Sequence, residues 1–346
     1  MGMILNIILM AIGLILLIKG ADIFIEEGSK IGKIFNVSEI LMGLTFVCIG
    51  TSLPELFLSV NASLKNSSNM VIGNIVGTNI FNMCCVLGLI CIMNPLRLLR
   101  ETIRKDMHMS LLSSILLTLL LIDSYVANTT ENIISRADAG ILLMFFVIFM
   151  YYTLYQFGEY MRDKREKKHS KRLENKESGI EEKNKKTPKK FSPRTKKKIL
   201  KHLVIAIIGA AMVYYGAELV VSNAVQVAKF LGVSETLISV TIIAIGTSLP
   251  ELTTALVALK KDKVNIAVGN VIGSNMFNTL LVIGTAAFVK PVKLNDSSLF
   301  VDCFVFVLVC LVLVLFTKRK PIIARGEGLT LIGIYIVYIS YVIYRL

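Results

Sequence analysis

A six-residue segment, Gly-Thr-Ser-Leu-Pro-Glu, occurs twice in this sequence, at residues 50–55 and again at residues 246–251. Each copy lies inside an apolar run that is long enough to cross a lipid bilayer. The segment therefore places an acidic side chain, Glu55 or Glu251, where ionised groups are normally excluded. Because intramembrane carboxylates are costly and usually functional, these two glutamates are the first candidates for a binding site.

The similarity between the two copies extends far beyond the hexapeptide, at a constant spacing of 196 residues that we call the repeat offset. Residues 50–82 and 246–278 align without a gap, with 16 of 33 positions identical. Each repeat contains five apolar runs, and an odd number of spans makes the two copies cross the membrane in opposite directions. The expected spans are 3–25, 37–64, 69–93, 107–124 and 138–156, then 200–219, 233–259, 264–288, 298–317 and 328–345.

The sequence thus predicts an all-α polytopic membrane protein with ten transmembrane helices, arranged as two inverted five-helix repeats. The first repeat covers residues 1–156, a basic loop covers 157–200, and the second repeat covers 201–346. Lysine and arginine accumulate in cytoplasmic loops. With both termini outside, the predicted inner loops hold 32 of the 38 lysine and arginine residues. We therefore expect a cell-membrane protein whose basic loop lies in the cytoplasm.

Composition excludes several other classes of protein. Apolar residues make up 54% of the chain, and a soluble protein has nowhere to bury ten such runs. The net charge of +14 does not indicate nucleic-acid binding, because residues 157–201 carry 18 basic residues against seven acidic ones. Such a charge run is typical of a solvated loop, with attraction to anionic lipid as the alternative. The first run lacks a basic start and a cleavage site, so we expect a retained helix.

The second span of each repeat carries the chemistry. Pro54 has no N–H and its ring collides with the carbonyl one turn back, so we expect the helix to break near Gly50 and to free the carbonyl oxygens around Cys48. Thr51, Ser52 and Glu55 then share one face. The second repeat offers the equivalent set: Gly246, Pro250, the carbonyl of Ala244, Thr247, Ser248 and Glu251. Carbonyl, hydroxyl and carboxylate oxygens favour Ca²⁺ or Na⁺ over soft transition metals.

The third span of each repeat adds a polar stripe at helical spacing. In the first repeat it consists of Asn74, Thr78 and Asn82, and in the second of Asn270, Ser274 and Asn278. Hydrogen bonds between helices are the plain explanation. The recurrence of the stripe some two dozen residues after a buried glutamate favours a shared site. Acids at the ends of spans, namely Asp22, Glu218 and Asp302, are expected to be interfacial and solvated.

The hexapeptides, each followed by G-N-[IV]-[IV]-G-[ST]-N-x-F-N, resemble the α-repeats of the cation/Ca²⁺ antiporter superfamily, most closely those of prokaryotic sodium/calcium exchangers. The resemblance implies that Glu55 and Glu251 are central Ca²⁺ ligands, with backbone oxygens of Thr51 and Thr247. It implies flanking Na⁺ sites and a centre completed by two amides. The Na⁺ ligands would be Ser52, Thr78, Ser248, Ser274 and the carbonyls of Cys48 and Ala244. The two amides that complete the centre would be those of Asn82 and Asn278.

The resemblance and the ligand set together indicate a secondary antiporter that exchanges Ca²⁺ for Na⁺ by alternating access, with no cofactor and no need of an oligomer. An H⁺/Ca²⁺ antiporter and a K⁺-dependent Na⁺/Ca²⁺ antiporter are the alternatives. Some members carry aspartate where this chain has Asn278, which argues against K⁺ dependence. A cation channel would need rings of like ligands around a continuous pore. An enzyme is not indicated, because the spans hold no nucleophile paired with a base.

Overall fold

The computed structural model of the chain describes residues 2–97, 100–127, 132–177, 193–233, 238, 242, 244–294, 298–319 and 322–345. It confirms an all-α polytopic membrane protein. Among these residues nine helices are long and apolar enough to cross a bilayer. The seventh expected span, 233–259, falls partly on residues outside these ranges. Its visible part is a 12-residue helix, which is too short to span by itself.

The helices follow the order expected of two five-helix units. The first unit contains α1 (Gly2–Phe35), α2 (Glu39–Leu64), α3 (Ser68–Met93), α4 (Arg100–Ala127) and α5 (Arg136–Glu177). The second contains α6 (Pro193–Phe230), α7 (Leu249–Lys260), α8 (Val264–Val289), α9 (Ser298–Arg319) and α10 (Arg325–Tyr344). Both long helices that flank the basic loop, α5 and α6, extend into residues predicted to belong to it.

Three of the central helices contain a complete π-helical turn within the described residues. These turns are Gly43–Val47 in α2, Asn82–Val86 in α3 and Phe277–Val282 in α8. A π-helical turn inserts an extra residue into the helix and is frequent at functional sites. The turns in α3 and α8 are equivalent by the repeat offset, and they include the two asparagines predicted at the centre of the site.

The expected helix interruption at Pro54 is wrong, since the residues from Cys48 to Leu64 form one continuous α-helix with Pro54 inside it. Proline removes a single hydrogen bond. The turns on either side remain formed, and Gly50 packs so closely on the ring of Phe24 that a Cβ there would collide with it. The packed environment therefore holds the helix together across the missing bond.

In the second repeat the helix is interrupted at the expected place. A short helical turn, Ala244–Gly246, is separated by Thr247 and Ser248 from α7, which begins at Leu249. Pro250 then occupies the first turn of α7. There its missing N–H leaves no carbonyl unpaired, because the first N–H groups of a helix have no partner within it.

Four short strands form two small antiparallel sheets at opposite ends of α4. Strand β1 (Leu96–Arg97), just before α4, pairs with β4 (Ile322–Ile323), and β2 (Asn132–Ile134), just after α4, pairs with β3 (Val292–Leu294). We call these ends of the bundle the β1–β4 end and the β2–β3 end. Strands β1 and β3 follow equivalent helices, α3 and α8, yet lie at opposite ends. Two units inserted in opposite directions give this arrangement.

Helix α8 lies at the centre of the bundle, whereas α1 and α6 pack along each other at its periphery. Helices α2 and α8 approach each other closely in the core. A Cβ at Gly43 would collide with the carbonyl oxygen of Ile266, and a Cβ at Gly269 with that of Ile40. Small residues allow this approach of two helix backbones. In α3, by contrast, a Cβ on Gly73 would meet only Leu299, at 3.4 Å, and a Cβ on Gly77 would meet nothing within 4 Å.

We expect Gly43→Ala to destabilise the protein by about 2–3 kcal/mol, because the added methyl group meets backbone that cannot move aside. Thermal unfolding of the detergent-solubilised protein checks this result. Gly333→Ala in α10 is the matched control, since a Cβ there meets nothing within 4 Å and alanine is the better helix former. Equal unfolding temperatures for Gly43→Ala and the unmodified chain would contradict the close packing.

The expectation that Asp302 is an interfacial, solvated acid is also wrong. Its side chain is 4% exposed, and its carboxylate accepts hydrogen bonds of 2.9 Å and 2.8 Å from the two Nη atoms of Arg345. Asp302 lies in the first turns of α9, and Arg345 follows the end of α10. The sequence does not reveal this pair, because the two residues are brought together only when α10 folds back beside α9.

Candidate functional site

Glu55 and Glu251 both lie in the interior of the helix bundle, in α2 and α7. Glu55 is 1% exposed and Glu251 is 0% exposed, so neither side chain points into lipid or lies on an outer surface. The two carboxylates are close enough to interact electrostatically. The two repeats thus place their acids within electrostatic range of each other. Two buried like charges repel each other, and each loses its hydration, so the pair is unfavourable unless a cation joins it.

Several buried oxygen atoms of the two repeats, including those of both acids, have no hydrogen-bond partner among the residues that the structure describes. This set comprises both carboxylate oxygens of Glu55 and of Glu251, the hydroxyl oxygens of two serines and the amide oxygens of two asparagines: Ser52, Ser248, Asn82 and Asn278. Every member has its equivalent by the repeat offset. Buried polar atoms are nearly always paired, and leaving so many unpaired is costly. The set therefore has the features of a cation site.

Two further asparagines orient the amides of this set. The Nδ2 atom of Asn82 donates to Oδ1 of Asn275 at 3.4 Å, and Nδ2 of Asn278 donates to Oδ1 of Asn79 at 3.3 Å. These pairs are equivalent and each joins the two repeats. With the NH₂ groups engaged, the oxygens of Asn82 and Asn278 are left for another partner. Asn79 and Asn275 are buried positioning residues that sequence reasoning missed, although their identity in both repeats was a usable signal.

The threonines of the hexapeptides also connect the repeats. Thr51 Oγ1 lies 3.2 Å from Oδ1 of Asn270 and 3.3 Å from Oγ of Ser274, and it donates to the Cys48 carbonyl at 3.3 Å. In the equivalent half, Thr247 Oγ1 lies 3.4 Å from Oγ1 of Thr78. Two of the predicted hydroxyl ligands, Thr78 and Ser274, therefore contact a hexapeptide threonine of the other repeat. For Asn74, which was expected in the stripe, no described residue pairs with Nδ2.

The remaining predicted positions are Cys48 and Ala244, whose carbonyl oxygens were the expected ligands. The Cys48 thiol donates to the Leu44 carbonyl at 2.9 Å, so its sulfur is engaged within its own helix. Ala244 begins the short helical turn before the interruption at Thr247 and Ser248. The side chains assembled here thus present oxygen rather than sulfur or nitrogen. Oxygen ligands suit hard cations, and Ca²⁺ takes six to eight of them.

A cavity of about 480 Å³ leads to Glu55 between α2, α6 and the start of α7. Its walls run from Glu55 past Leu58 and along α6 as far as Gln226. Because Ser63 near the end of α2 donates to the carbonyls of Ala286 and Lys290, just before β3, the direction from Glu55 to Leu58 points to the β2–β3 end. The site is therefore accessible from one end of the bundle.

Glu218 lines the same cavity and is exposed to it. The sequence places this acid at the end of a span, which led us to expect an interfacial residue outside the site. That expectation used the predicted span 200–219, whereas α6 continues to Phe230. Glu218 lies 12 residues before the end of this helix, so the polypeptide continues beyond it and encloses the cavity.

Comparison with known proteins gives a consistent family. The sequence profile described as "Sodium/calcium exchanger protein" matches residues 5–155 and 201–344. The sodium/calcium exchanger MaX1 of Methanosarcina acetivorans is 28% identical, over 98% of this chain and 99% of its own length. The inner membrane protein YrbG of Escherichia coli is 30% identical, over 98% and 97%. A solved structure of the sodium-calcium exchanger NCX_Mj superimposes with a TM-score of 0.78 and 30% identity, over 98% of this chain and 99% of the other.

Proposed function

Because this chain belongs to the sodium/calcium exchanger family, we propose that it exchanges Na⁺ for Ca²⁺ across the membrane at the site built on Glu55 and Glu251. The observation that carries the proposal is the set of unpaired buried oxygens, which occurs in equivalent pairs and contains both acids. Ca²⁺ binds in the centre, held by the two carboxylates, with the amide oxygens of Asn82 and Asn278 and the backbone oxygens of Thr51 and Thr247.

Na⁺ binds at flanking positions that use the same acids in part. Their further ligands are the hydroxyls of Ser52, Thr78, Ser248 and Ser274 and the carbonyls of Cys48 and Ala244. These hydroxyl and carbonyl ligands support Na⁺ over H⁺ as the coupling ion. Two protons would neutralise the two carboxylates and would need no hydroxyl or carbonyl ligand. Asn278 supports independence from K⁺, since an amide leaves the centre with two negative charges, which one Ca²⁺ neutralises.

The charge of the site explains why the protein would exchange one kind of ion for the other and not let ions leak through. Without a cation, two ionised carboxylates face each other in a medium of low dielectric, and the free energy of carrying them through the change of conformation is high. One Ca²⁺ or at least two Na⁺ neutralise the pair. The protein therefore changes its accessible face only when loaded, and one ion must return in place of the other. Two inverted repeats provide two similar states for such alternating access.

The orientation of the site follows the distribution of basic residues. The β1–β4 end is cytoplasmic and carries the basic loop at 157–200, and both termini lie outside. The cavity at the β2–β3 end then faces the outside. This proposal is supported by the lysine and arginine excess in the loops of the β1–β4 end.

Flux into proteoliposomes tests the function. We expect vesicles loaded with Na⁺ to take up ⁴⁵Ca²⁺ from a Na⁺-free medium, and uptake to stop when Na⁺ is equal on both sides. A pH gradient of either sign should not replace the Na⁺ gradient, and K⁺ should change nothing. Uptake driven only by protons would identify an H⁺/Ca²⁺ antiporter. Non-saturating uptake that needs no counter-ion would identify a channel.

A further inference from the structure

A polar stripe on α6 lines the cavity that leads to Glu55. Glu218, Ser222 and Gln226 are spaced by four residues, lie on one face of the helix and are exposed. Most of the remaining wall is apolar or belongs to the hexapeptides. At the inner end of the cavity Glu55 is buried with both carboxylate oxygens unpaired. A cation that approaches from the β2–β3 end therefore passes Glu218 before it reaches Glu55.

The acids of the equivalent stripe on α1 form ion pairs with a lysine. By the repeat offset, Asp22, Glu26 and Lys30 correspond to the three residues of α6. The ammonium group of Lys261, which follows α7, lies 2.9 Å from Oδ1 of Asp22 and 3.2 Å from Oε2 of Glu26. These ion pairs join α1 to the end of α7 at the β1–β4 end. A lysine of the protein itself therefore forms an ion pair with Asp22, the acid equivalent to Glu218.

The equivalent of Lys261 in the first repeat is Lys65, and the sequence has lysine at both positions. Lys65 follows α2 and lies seven residues beyond Leu58, so it continues the helix face that lines the cavity. In the described part of the chain no ion pair joins Lys65 to Glu218. The two ends of the bundle therefore differ: the acid pairs with a lysine at one end and lines an open cavity at the other.

From this asymmetry we propose that Glu218 is an access site for the transported cation, and that Lys65 replaces that cation when the β2–β3 end closes. Lys261 leaves Asp22 in the same step, and Asp22 becomes the access site at the β1–β4 end. The proposal rests on the alternating access of the proposed function. The physical basis is competition: one acid binds either a mobile cation or a lysine of the other repeat.

The strength of these pairs fits such a role. Asp22 and Glu26 have side chains that are 49% and 46% exposed, so their attraction to Lys261 is largely screened by water. Pairs of this kind can separate and form again in every transport cycle. An acid in a narrow cavity with apolar walls also raises the local concentration of cations.

The first test is the Ca²⁺ dependence of Glu218→Gln, measured separately in right-side-out and inside-out membrane vesicles. We expect the half-saturating Ca²⁺ concentration to rise by about three- to tenfold when Ca²⁺ is applied at the β2–β3 end, with little change at the other end and in the maximal rate. The difference should shrink at high ionic strength, where charges are screened. Glu39→Gln is the control, since it removes the same charge from an exposed position at the β1–β4 end. An unchanged half-saturation at both ends would overturn the access site.

The second test is cross-linking of two cysteine pairs with a short bifunctional thiol reagent, because a lysine–acid pair can separate the Cα atoms more than a disulfide spans. Lys261→Cys with Asp22→Cys should cross-link, Lys65→Cys with Glu218→Cys should cross-link as well, and each should block transport. A chain carrying all four should form one link or the other in each molecule. The unmodified chain is the control, since five of its six cysteines are buried.

The proposed alternation of the two lysine–acid pairs is refuted by either of two results. In the first, protein that is competent for transport cross-links positions 261 and 22 but never positions 65 and 218. In the second, both links form in one molecule. The result is separate from the identity of the ions. Mutually exclusive links in a protein that carries H⁺ in place of Na⁺ would support the gate and reject only the coupling ion of the proposed function.

Discussion

Replacing Glu55 or Glu251 by glutamine should abolish Na⁺-driven Ca²⁺ uptake. Each substitution keeps the shape of the side chain and removes one of two charges that a divalent ion needs. Loss of one partner from a buried charge pair costs about 3 kcal/mol or more, which corresponds to a drop in Ca²⁺ affinity of roughly 100-fold or more. Equilibrium binding of ⁴⁵Ca²⁺ to the purified variants measures the affinity directly, and flux into proteoliposomes measures the transport.

The stability of the same variants separates a functional role from a structural one. In the absence of cations both glutamines should leave the unfolding temperature unchanged or raise it, because each removes an unpaired buried charge and its repulsion. Glu39→Gln on the same α2 helix is the matched control. It removes an exposed charge and should retain uptake. If Glu55→Gln and Glu251→Gln both transported Ca²⁺ at the normal rate, the site would have to lie elsewhere.

Removal of either partner of the Asp302–Arg345 pair should give the largest loss of stability among the substitutions considered. Asp302→Asn leaves a guanidinium without its carboxylate, and Arg345→Met leaves a carboxylate whose side chain is 4% exposed without its cation. Breaking a buried ion pair costs about 3–5 kcal/mol. We expect about 3 kcal/mol here, since the side chain of Arg345 is 20% exposed.

Thermal unfolding in detergent checks this second result, with the double variant as its control. Asp302→Asn combined with Arg345→Met removes both charges, so it should lose less stability than the sum of the two single variants. Ca²⁺ uptake at a temperature where each variant is folded should be unaffected, because the pair joins α9 to the end of α10 and contributes no atom to the site. Single variants as stable as the unmodified chain would show that the pair contributes nothing.

The features of this protein that could be predicted from the sequence are those fixed by the bilayer and by the duplication. The apolar runs have the length that a membrane imposes, so nine of the ten expected spans coincide with a long apolar helix of the described residues, although several helices extend beyond the expected bounds. The repeat offset aligned Glu55 with Glu251 and Asn82 with Asn278, and the structure buries all four residues inside the helix bundle. Chemistry that depends only on residue type at a repeated position can be predicted from the amino-acid sequence alone.

The features that could not be predicted depend on contacts between distant segments. Pro54 indicates a helix break, but the packing of Gly50 against Phe24 keeps the helix continuous. The carboxylate of Asp302 looks solvated in the sequence, but the fold buries it beside Arg345. Each error has one physical cause: local preference was outweighed by tertiary packing, for which a single sequence provides no distances.

The most direct test of the site is the position of a bound divalent ion. In an anomalous difference map from crystals soaked with Sr²⁺, which stands in for Ca²⁺, we expect one strong peak between the carboxylates of Glu55 and Glu251. The peak should disappear when the soak contains excess Na⁺. A map whose strongest peak lies away from both glutamates, or whose peak persists in Na⁺, would contradict the account.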